Sequence, residues 1–157
     1  MSRKVCIIGG ATTPFDYGPT GFESIEGGAA ECVKETQKDV PEFSLRDLDL
    51  MIYSHFSVHF GHQLAPEWII HDHLGLVGLP HYRVENGGNT GGSALYAAAL
   101  AIMSGHHDVI GIVGWETIPA WPHPTQFIPG GNSPYVTDAY RDALLAFRAQ
   151  DVRWAAM

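Results

Sequence analysis

Short apolar runs alternate with longer segments of helical periodicity between residues 5 and 114. The apolar runs end at glycine or polar residues, a pattern that predicts buried strands, and they occupy residues 5–9, 48–53, 81–85 and 108–114. The segments between them place apolar residues three or four positions apart, which predicts helices at residues 24–39, 65–74 and 93–105. The predicted order is therefore strand, helix, strand, helix, strand, helix, strand.

This alternation predicts an α/β fold with a mostly parallel sheet covered by helices. The third helix is rich in alanine and apolar on nearly all sides, so we expect it to be central and buried. After Trp115 the chain becomes rich in proline and glycine, and an amphipathic segment starting at Thr137 predicts a terminal helix. We therefore divide the chain into an α/β core at residues 1–116 and a loop or lid segment with a terminal helix at residues 117–157.

Composition and charge narrow the class of protein. The chain has 157 residues, 45% of them apolar and 17% charged, which is typical of a globular domain with one core. Its 9 basic and 17 acidic side chains give a net charge of −8, which disfavours nucleic acid as a partner. Because no apolar run approaches the roughly 20 residues of a membrane span and the start resembles no signal peptide, we expect a cytoplasmic protein.

The cysteines and histidines do not form a clear metal or disulfide pattern. Cys6 and Cys32 fall within a predicted strand and a predicted helix, so we expect buried, reduced thiols. His55, His59 and His62 are close enough in sequence to converge on a metal, but they lack a neighbouring carboxylate or cysteine and an H-E-x-x-H pattern. No metal site is predicted. We expect His71 and His73 to lie on a helix face, and His106 and His107 to lie in a solvated turn.

The most informative stretch is RVENGGNTGGSAL at residues 83–95. It leads from a strand through a tight turn into a helix, where a nucleophile can sit at the positive helix end. It resembles the nucleophile turn of the thiolase superfamily, especially the sterol-carrier-protein type, in which a strand ending in Val-Glu precedes an alanine, the reactive cysteine and a glycine-rich helix start. A glycine-rich turn can also be the plain strand-to-helix connection of any α/β domain. A dinucleotide site is disfavoured, because GGATTPF after the first strand lacks the G-x-G-x-x-G spacing.

The resemblance extends over residues 5–116. It includes VCIIGGATTPF at the first strand, RDLDLMIYSH before the second helix, GLP before the third strand and SGHHDVIGIVGWE after the third helix. It implies the N-terminal half of a thiolase-like fold. The family has two similar halves, and the second half supplies an activating histidine and a further cysteine, so this chain alone is expected to be inactive.

The resemblance places Gly88 at the nucleophile position, so the usual cysteine is missing. Without a side chain there, backbone N–H groups at the helix start remain open to a thioester oxygen. The resemblance implies a coenzyme A thioester as substrate and no bound cofactor. We expect His55 or His59 to border the acyl pocket as candidate catalytic residues. The expected substrate-binding residues are Asn86, Gly87, Gly88, Asn89, Thr90 and Trp115.

The implied function is acyl transfer or carbon–carbon bond cleavage, thiolytic or retro-aldol, by a subunit that lacks the cysteine nucleophile. Thiolase-like proteins form dimers, so the resemblance implies a homo- or hetero-oligomer with a thiolase-like chain. Retro-aldol relatives without the cysteine also use a small zinc-ribbon and OB-fold partner, which is a further candidate. The alternatives are a non-catalytic structural subunit of such a complex and a metal-dependent enzyme built on the histidine loop.

Overall fold

The computed structural model describes residues 3–14, 25–55 and 65–116, which all belong to the unit Met1–Pro119. The strands are β1 Leu50–Ser54, β2 His81–Val84 and β3 Ile110–Gly114. The helices are α1 Ile25–Asp39, α2 Pro66–His73 and α3 Thr90–Met103, with a short 3-10 helix at Leu45–Asp47. The strands form an all-parallel sheet in the order β2-β1-β3. The predicted α/β class, parallel sheet and covering helices are confirmed.

The connections follow from the parallel pairing, because parallel neighbours need a crossover segment between them. Helix α2 connects β1 to β2, and α3 connects β2 to β3. Since β2 and β3 pair with opposite edges of β1, α3 crosses over the central strand and contacts all three strands. The central strand β1 is buried along its whole length.

Local sequence signals set the ends of the helices. Proline occupies the first position of α2. It lacks the N–H that would have no partner there, and its fixed φ angle suits a helix start. Gly75 and Gly105, which follow the ends of α2 and α3, have φ angles of 70° and 83°. Glycine adopts this left-handed conformation without a Cβ penalty, so these residues end the helices. Ser44 and Asp47 form a capping box around the 3-10 helix.

The two faces of the sheet bury separate clusters of side chains, because successive residues of a strand point to opposite faces. One face, here called the α2 face, packs against α1 and α2; its buried apolar residues are Ala29, Leu48, Met51, Tyr53, Ile70 and Leu76. The other face, here called the α3 face, packs against α3; its buried residues are Leu50, Ile52, Ala94 and Ala98. Both faces of β1 are therefore covered by helices.

The strand predicted at residues 5–9 is wrong, since this segment has no regular secondary structure. The N-terminal segment contacts the rest of the fold at both ends. Arg3 pairs with Asp108 at 2.6 Å. Gly9 packs so closely on Val40 that a Cβ built on the glycine would lie 2.7 Å from a methyl group of the valine. A segment without ladder hydrogen bonds is not a strand. Ile7 is also 82% exposed, so the apolar run is not a buried one. Cys6, predicted to be buried, is exposed, and Cys32 is half-buried; both are free thiols.

Helix α3 is found where it was predicted, but the expectation that it is buried on all sides is wrong. Ala94 and Ala98 are buried against the sheet. The opposite side of the helix exposes Leu95, Tyr96, Leu100 and Met103. The reason is geometric, because the sheet covers one side of the helix and an all-apolar sequence does not itself supply a second covering layer.

Among the described residues, no helix combines the length and apolar character needed to cross a bilayer. The predicted loop segment and terminal helix at residues 117–157 lie outside the described residues. The boundary after residue 116 stays a prediction.

Candidate functional site

The three strands end at the same level of the sheet. Ser54, the last residue of β1, is in register with the last residues of β2 and β3. The residues that directly follow β1, β2 and β3 are His55, Glu85 and Trp115. Ligand sites in parallel α/β sheets occur at the carboxyl ends of the strands, so this edge is the first place to look for one.

Five side chains meet at this edge and are called the strand-end cluster: His55, Glu67, Arg83, Glu85 and Trp115. The imidazole of His55 stacks on the indole of Trp115, with ring centroids 4.6 Å apart and planes 25° from parallel. His55 is buried, and Glu67, from the first turn of α2, is buried beside it. The stacking and the burial together hold the imidazole in one orientation.

Charged groups surround His55 on two sides. Oε2 of Glu67 lies 3.5 Å from Nε2 of His55 and 4.0 Å from Nη1 of Arg83. Arg83 also pairs through Nη2 with Oε2 of Glu85 at 3.4 Å. Within the described residues, Oε2 of Glu67 has no hydrogen-bond partner. A buried carboxylate oxygen in this state is unusual and points to a role.

The pKa of His55 is lowered below that of a free histidine. Burial is the largest cause and the positive charge of Arg83 the second, while Glu67 and Glu85 oppose the shift. The imidazole is therefore neutral at pH 7, which is the state a general base requires.

A second polar group lies deeper on the α2 face. The Tyr53 hydroxyl and Nδ1 of His71 are 2.8 Å apart, and the His71 ring lies against His81 with centroids 4.1 Å apart. Burial raises the pKa of Tyr53 above its usual range and lowers that of His71, to which His81 also contributes. His71, expected to lie on a helix face, does so, but that face is buried. It lies four residues after Glu67 on α2, so both face the sheet.

The turn after β2 is held together by its own polar side chains. The N–H of Asn86 donates to Oγ1 of Thr90 at 2.8 Å, and that hydroxyl donates to the carbonyl of Gly87 at 2.6 Å. Nδ2 of Asn86 donates to Oγ of Ser93 at 2.8 Å. These contacts give Asn86 and Thr90 a clear structural role in fixing the path of the chain into α3.

Gly88 lies at the open side of this turn. A Cβ built on it would meet nothing within 4 Å, whereas Gly87 has a φ of 53° and needs to be glycine for conformational reasons. The backbone donors of the turn's hydrogen bonds are the N–H groups of Asn86, Asn89, Thr90 and Ser93. Asn89 makes no side-chain cap. The start of α3 therefore presents an uncapped, partially positive end beside an empty position.

The structure brings together some of the residues expected from the sequence. His55 and Trp115 stack on each other, and β2 leads through Glu85 directly into the turn at residues 86–90. His59, the other candidate catalytic residue, lies outside the described residues, and so does His62. Among the described residues, no group of three or more His, Cys, Asp or Glu side chains is arranged to hold a metal ion.

Sequence reasoning missed Glu67 and Arg83. A signal for Arg83 was present, since alternation along β2 puts His81, Arg83 and Glu85 on one face of a strand that was predicted to be covered by helices. Three polar residues on such a face indicate a polar site beside the strand. Glu67 had no comparable signal, because a glutamate in the first turn of a helix is ordinary.

Comparison with known proteins gives two partial matches. No family model matches the chain. A stretch of 83 residues is 36% identical to an acetyl-CoA acetyltransferase of Methanothermobacter thermautotrophicus and covers 52% of this chain and 22% of that protein. A stretch of 35 residues is 77% identical to the esterase YbfF of Escherichia coli and covers 22% of this chain and 14% of that protein. The matches thus span less than a quarter of either relative.

The first match supports a relationship between this chain and the thiolases. It covers about half of the chain, and the observed α/β architecture agrees with a partial thiolase-like fold. The esterase match extends over fewer residues than a domain contains, so it carries no argument about catalysis.

Proposed function

We propose that this chain forms the acyl-CoA thioester site of a thiolase-like protein that acts in acyl transfer or carbon–carbon bond cleavage. The observation that carries the proposal is the turn at residues 86–90, where the open position of Gly88 precedes the uncapped start of α3. A thioester oxygen placed there would meet backbone N–H groups and the positive end of the helix. The relationship to an acetyl-CoA acetyltransferase supports the choice of an acyl-CoA.

The absence of a side chain at Gly88 argues for chemistry without an acyl-enzyme at this position. Cys6 is exposed in the irregular N-terminal segment and Cys32 lies on α1, so neither belongs to the turn. A thiolytic route needs a nucleophile to carry the acyl group. We therefore favour cleavage of the retro-aldol type, which needs a base and a site for a developing oxyanion.

In such a reaction, a β-hydroxyacyl-CoA loses its hydroxyl proton to His55. The new carbonyl forms as the bond between the α and β carbons breaks, and its electron pair moves to the thioester as an enolate. Backbone N–H groups at the start of α3 stabilise the enolate oxygen, and the imidazolium returns the proton to the α carbon. The products are an aldehyde or ketone and a shortened acyl-CoA.

We further propose that other polypeptide completes this site. The matched region covers 22% of the acetyltransferase, which leaves most of that protein without a counterpart in the match. The proposed partner is a thiolase-like chain in a homo- or hetero-oligomer, with a small zinc-ribbon and OB-fold protein as a further component. Native mass spectrometry of the purified protein reads its composition directly. A lone 17.1 kDa species under these conditions would contradict the partner proposal.

Calorimetric titration with acetyl-CoA, in the presence of every chain that co-purifies, tests the acyl-CoA site. We expect binding by the native protein and loss of at least tenfold in affinity for Gly88→Leu, because the leucine side chain fills the position of the thioester. Gly10→Leu is the matched control, since a Cβ at Gly10 also meets nothing within 4 Å and the residue lies outside the turn. No heat of binding in the native complex would sink the proposal.

The same pair of variants separates a binding site from a structural subunit. If the turn serves only to connect β2 to α3, Gly88→Leu changes the free energy of unfolding and leaves acetyl-CoA affinity as it is. If it forms the thioester site, affinity falls while the free energy of unfolding stays close to that of Gly10→Leu.

A further inference from the structure

The outer side of helix α3 exposes a row of apolar side chains. The helix packs on the sheet through Ala94 and Ala98, which lie on its inner side. Residues three or four positions apart share one side of a helix. The residues on the outer side, here called the outer stripe, are Leu95, Tyr96, Ala99, Leu100 and Met103. The four large side chains among them are between 45% and 67% exposed. A contiguous exposed apolar surface of this kind is typical of a protein–protein contact.

Tyr82 extends this surface onto the sheet. Val84 packs in the cluster of the α3 face, and Tyr82 lies two residues before it on β2, so both point to the same side of the sheet. The side chain of Tyr82 is 40% exposed. The layer that α3 forms on this face therefore leaves apolar surface uncovered both on the helix and on the strand beside it.

The charge distribution favours a second copy of this chain as the partner. No residue of α3 from Thr90 to Met103 carries a charge, whereas the whole chain has a net charge of −8. Two copies with the same net charge repel each other least where uncharged surfaces meet. A basic partner would instead gain from carboxylates at its contact, and the outer stripe offers none. Tyrosine and methionine are also enriched in the centres of protein interfaces, where charged residues are depleted.

The shape of the outer stripe also fits a copy of itself when the two helices run antiparallel. A twofold axis between residues 97 and 98 places Leu95 opposite Leu100 of the second copy, and Tyr96 opposite Ala99. Each pair occurs twice because of the symmetry. The second pair sets a large side chain against a small one, which lets the helices approach closely. Antiparallel helices also bring the positive end of one dipole beside the negative end of the other.

We propose that the outer stripe of α3 is the contact between two copies of this chain, packed as an antiparallel pair of helices about a twofold axis. The inference rests on the homo-oligomeric form of the proposed function and adds its surface and its symmetry. It does not rest on the acyl-CoA site, because the paired positions 95–100 lie beyond the turn at residues 86–90.

Charge substitutions at the facing leucines test the contact, with sedimentation equilibrium of the full chain over a dilution series as the measurement. We expect the unsubstituted protein to have twice the mass of one 17.1 kDa chain. Leu95→Glu and Leu100→Lys should each weaken the dimer at least about tenfold, because each sets a charge opposite a leucine. Val77→Glu is the control, since this valine is 77% exposed and lies outside the outer stripe. It should leave the dimer unchanged.

A mixture of the two leucine variants identifies the partner. In a mixed dimer, the carboxylate introduced at position 95 of one copy faces the ammonium introduced at position 100 of the other, and the second pair keeps both leucines. We therefore expect mixing to restore a dimer that neither variant forms alone. Positions 95 and 100 are five residues apart on the helix, so the two charges do not meet within one chain. The restoration has to come from a second copy.

Several outcomes would overturn the inference. A single copy in the unsubstituted protein, alone or bound to a polypeptide of different sequence, rejects it together with the homo-oligomer, and this measurement needs no variant. A dimer that resists both leucine substitutions, that weakens equally in Val77→Glu, or that the mixture does not restore rejects the outer stripe and leaves the homo-oligomer standing. Circular dichroism checks that each variant is folded. Acetyl-CoA binding is measured separately, so its absence would reject the thioester site and leave this contact in place.

Discussion

The α2 face and the α3 face of the same sheet bury different kinds of side chain. The buried cluster of the α3 face consists of Leu50, Ile52, Ala94 and Ala98. The α2 face has a comparable apolar cluster, but it also buries Tyr53, His55, Glu67 and His71. The buried cluster of the α3 face thus contains no titratable group, and the α2 face combines an apolar core with titratable groups.

Neighbouring residues of β1 therefore belong to different clusters, one apolar and one that includes titratable groups. Ile52 and Tyr53 are neighbours in β1, are both fully buried, and point to opposite faces. Small alanines on α3 allow close packing on Ile52 without polar groups that need partners. The α3 face therefore anchors the helix whose start forms the turn at residues 86–90, while the α2 face holds the buried titratable groups.

The largest expected effect is on the α3 face. Ile52→Ala removes a fully buried side chain and leaves a cavity against Ala94 and Ala98, so we expect a loss of about 3 kcal/mol in the free energy of unfolding. Urea denaturation measures it. Ile7→Ala, at an isoleucine that is 82% exposed, should change stability by less than about 0.5 kcal/mol. Similar losses for both variants would contradict the assignment of the α3 face as a core.

On the α2 face, Tyr53→Phe should cost about 1–2 kcal/mol. The ring remains, but Nδ1 of His71 loses its partner, and within the described residues Nε2 of His71 has none already. Thermal or urea unfolding of the variant measures the loss. Tyr82→Phe on β2 is the control, because that side chain is 40% exposed and the substitution should be nearly neutral. A neutral Tyr53→Phe would mean that the buried hydrogen bond does not contribute to stability.

The two faces should also differ in their response to pH. Burial lowers the pKa of His55 and of His71 below the ordinary value of 6.5. Between the folded and the unfolded pKa, the unfolded chain binds more protons, so the free energy of unfolding rises with pH in that window. The contribution is complete above about pH 6.5 and is lost as the pH falls below it.

Urea unfolding at a series of pH values from about 7.5 to about 5 measures this slope. The pH values are spaced by roughly a few tenths of a unit around the ordinary pKa of histidine. His71→Gln should reduce the slope, because one of the two groups is removed. Ile52→Ala should lower the curve without changing its slope, since the α3 face contains no titratable group in its buried cluster. An unchanged slope in His71→Gln would show that this histidine does not titrate with unfolding.

The smallest effects are expected in the turn. Gly87→Ala forces a Cβ into a φ of 53° and should cost about 1 kcal/mol. Gly88→Ala should be within about 0.5 kcal/mol of the unsubstituted protein, because its Cβ meets nothing within 4 Å. The pair is measured by the same unfolding experiment. A larger loss for Gly88→Ala than for Gly87→Ala would reverse the roles given to these glycines.

The elements of the fold were largely predictable from residues close together in sequence. The spacing of apolar residues at 65–74 and 93–105 and the apolar run at 48–53 correctly located α2, α3 and the central strand. The segment at residues 5–9 was not, because an apolar run becomes a strand only where another strand offers it hydrogen bonds. The turn at residues 86–90 was located from its glycines, and its use as a thioester site stays a prediction.

The sequence by itself determined the order of strands and helices from α1 to β3, the parallel character of the sheet and the place of the glycine turn. These depend on local periodicity and on the backbone freedom of glycine. Tertiary structure alone decided that Glu67 and Arg83 lie beside His55 and that His71 is buried under Tyr53. His55 and Arg83 are 28 residues apart, and Tyr53 and His71 are 18 apart. Such pairs depend on the register of neighbouring strands and on the way a helix packs on them, which no local pattern encodes.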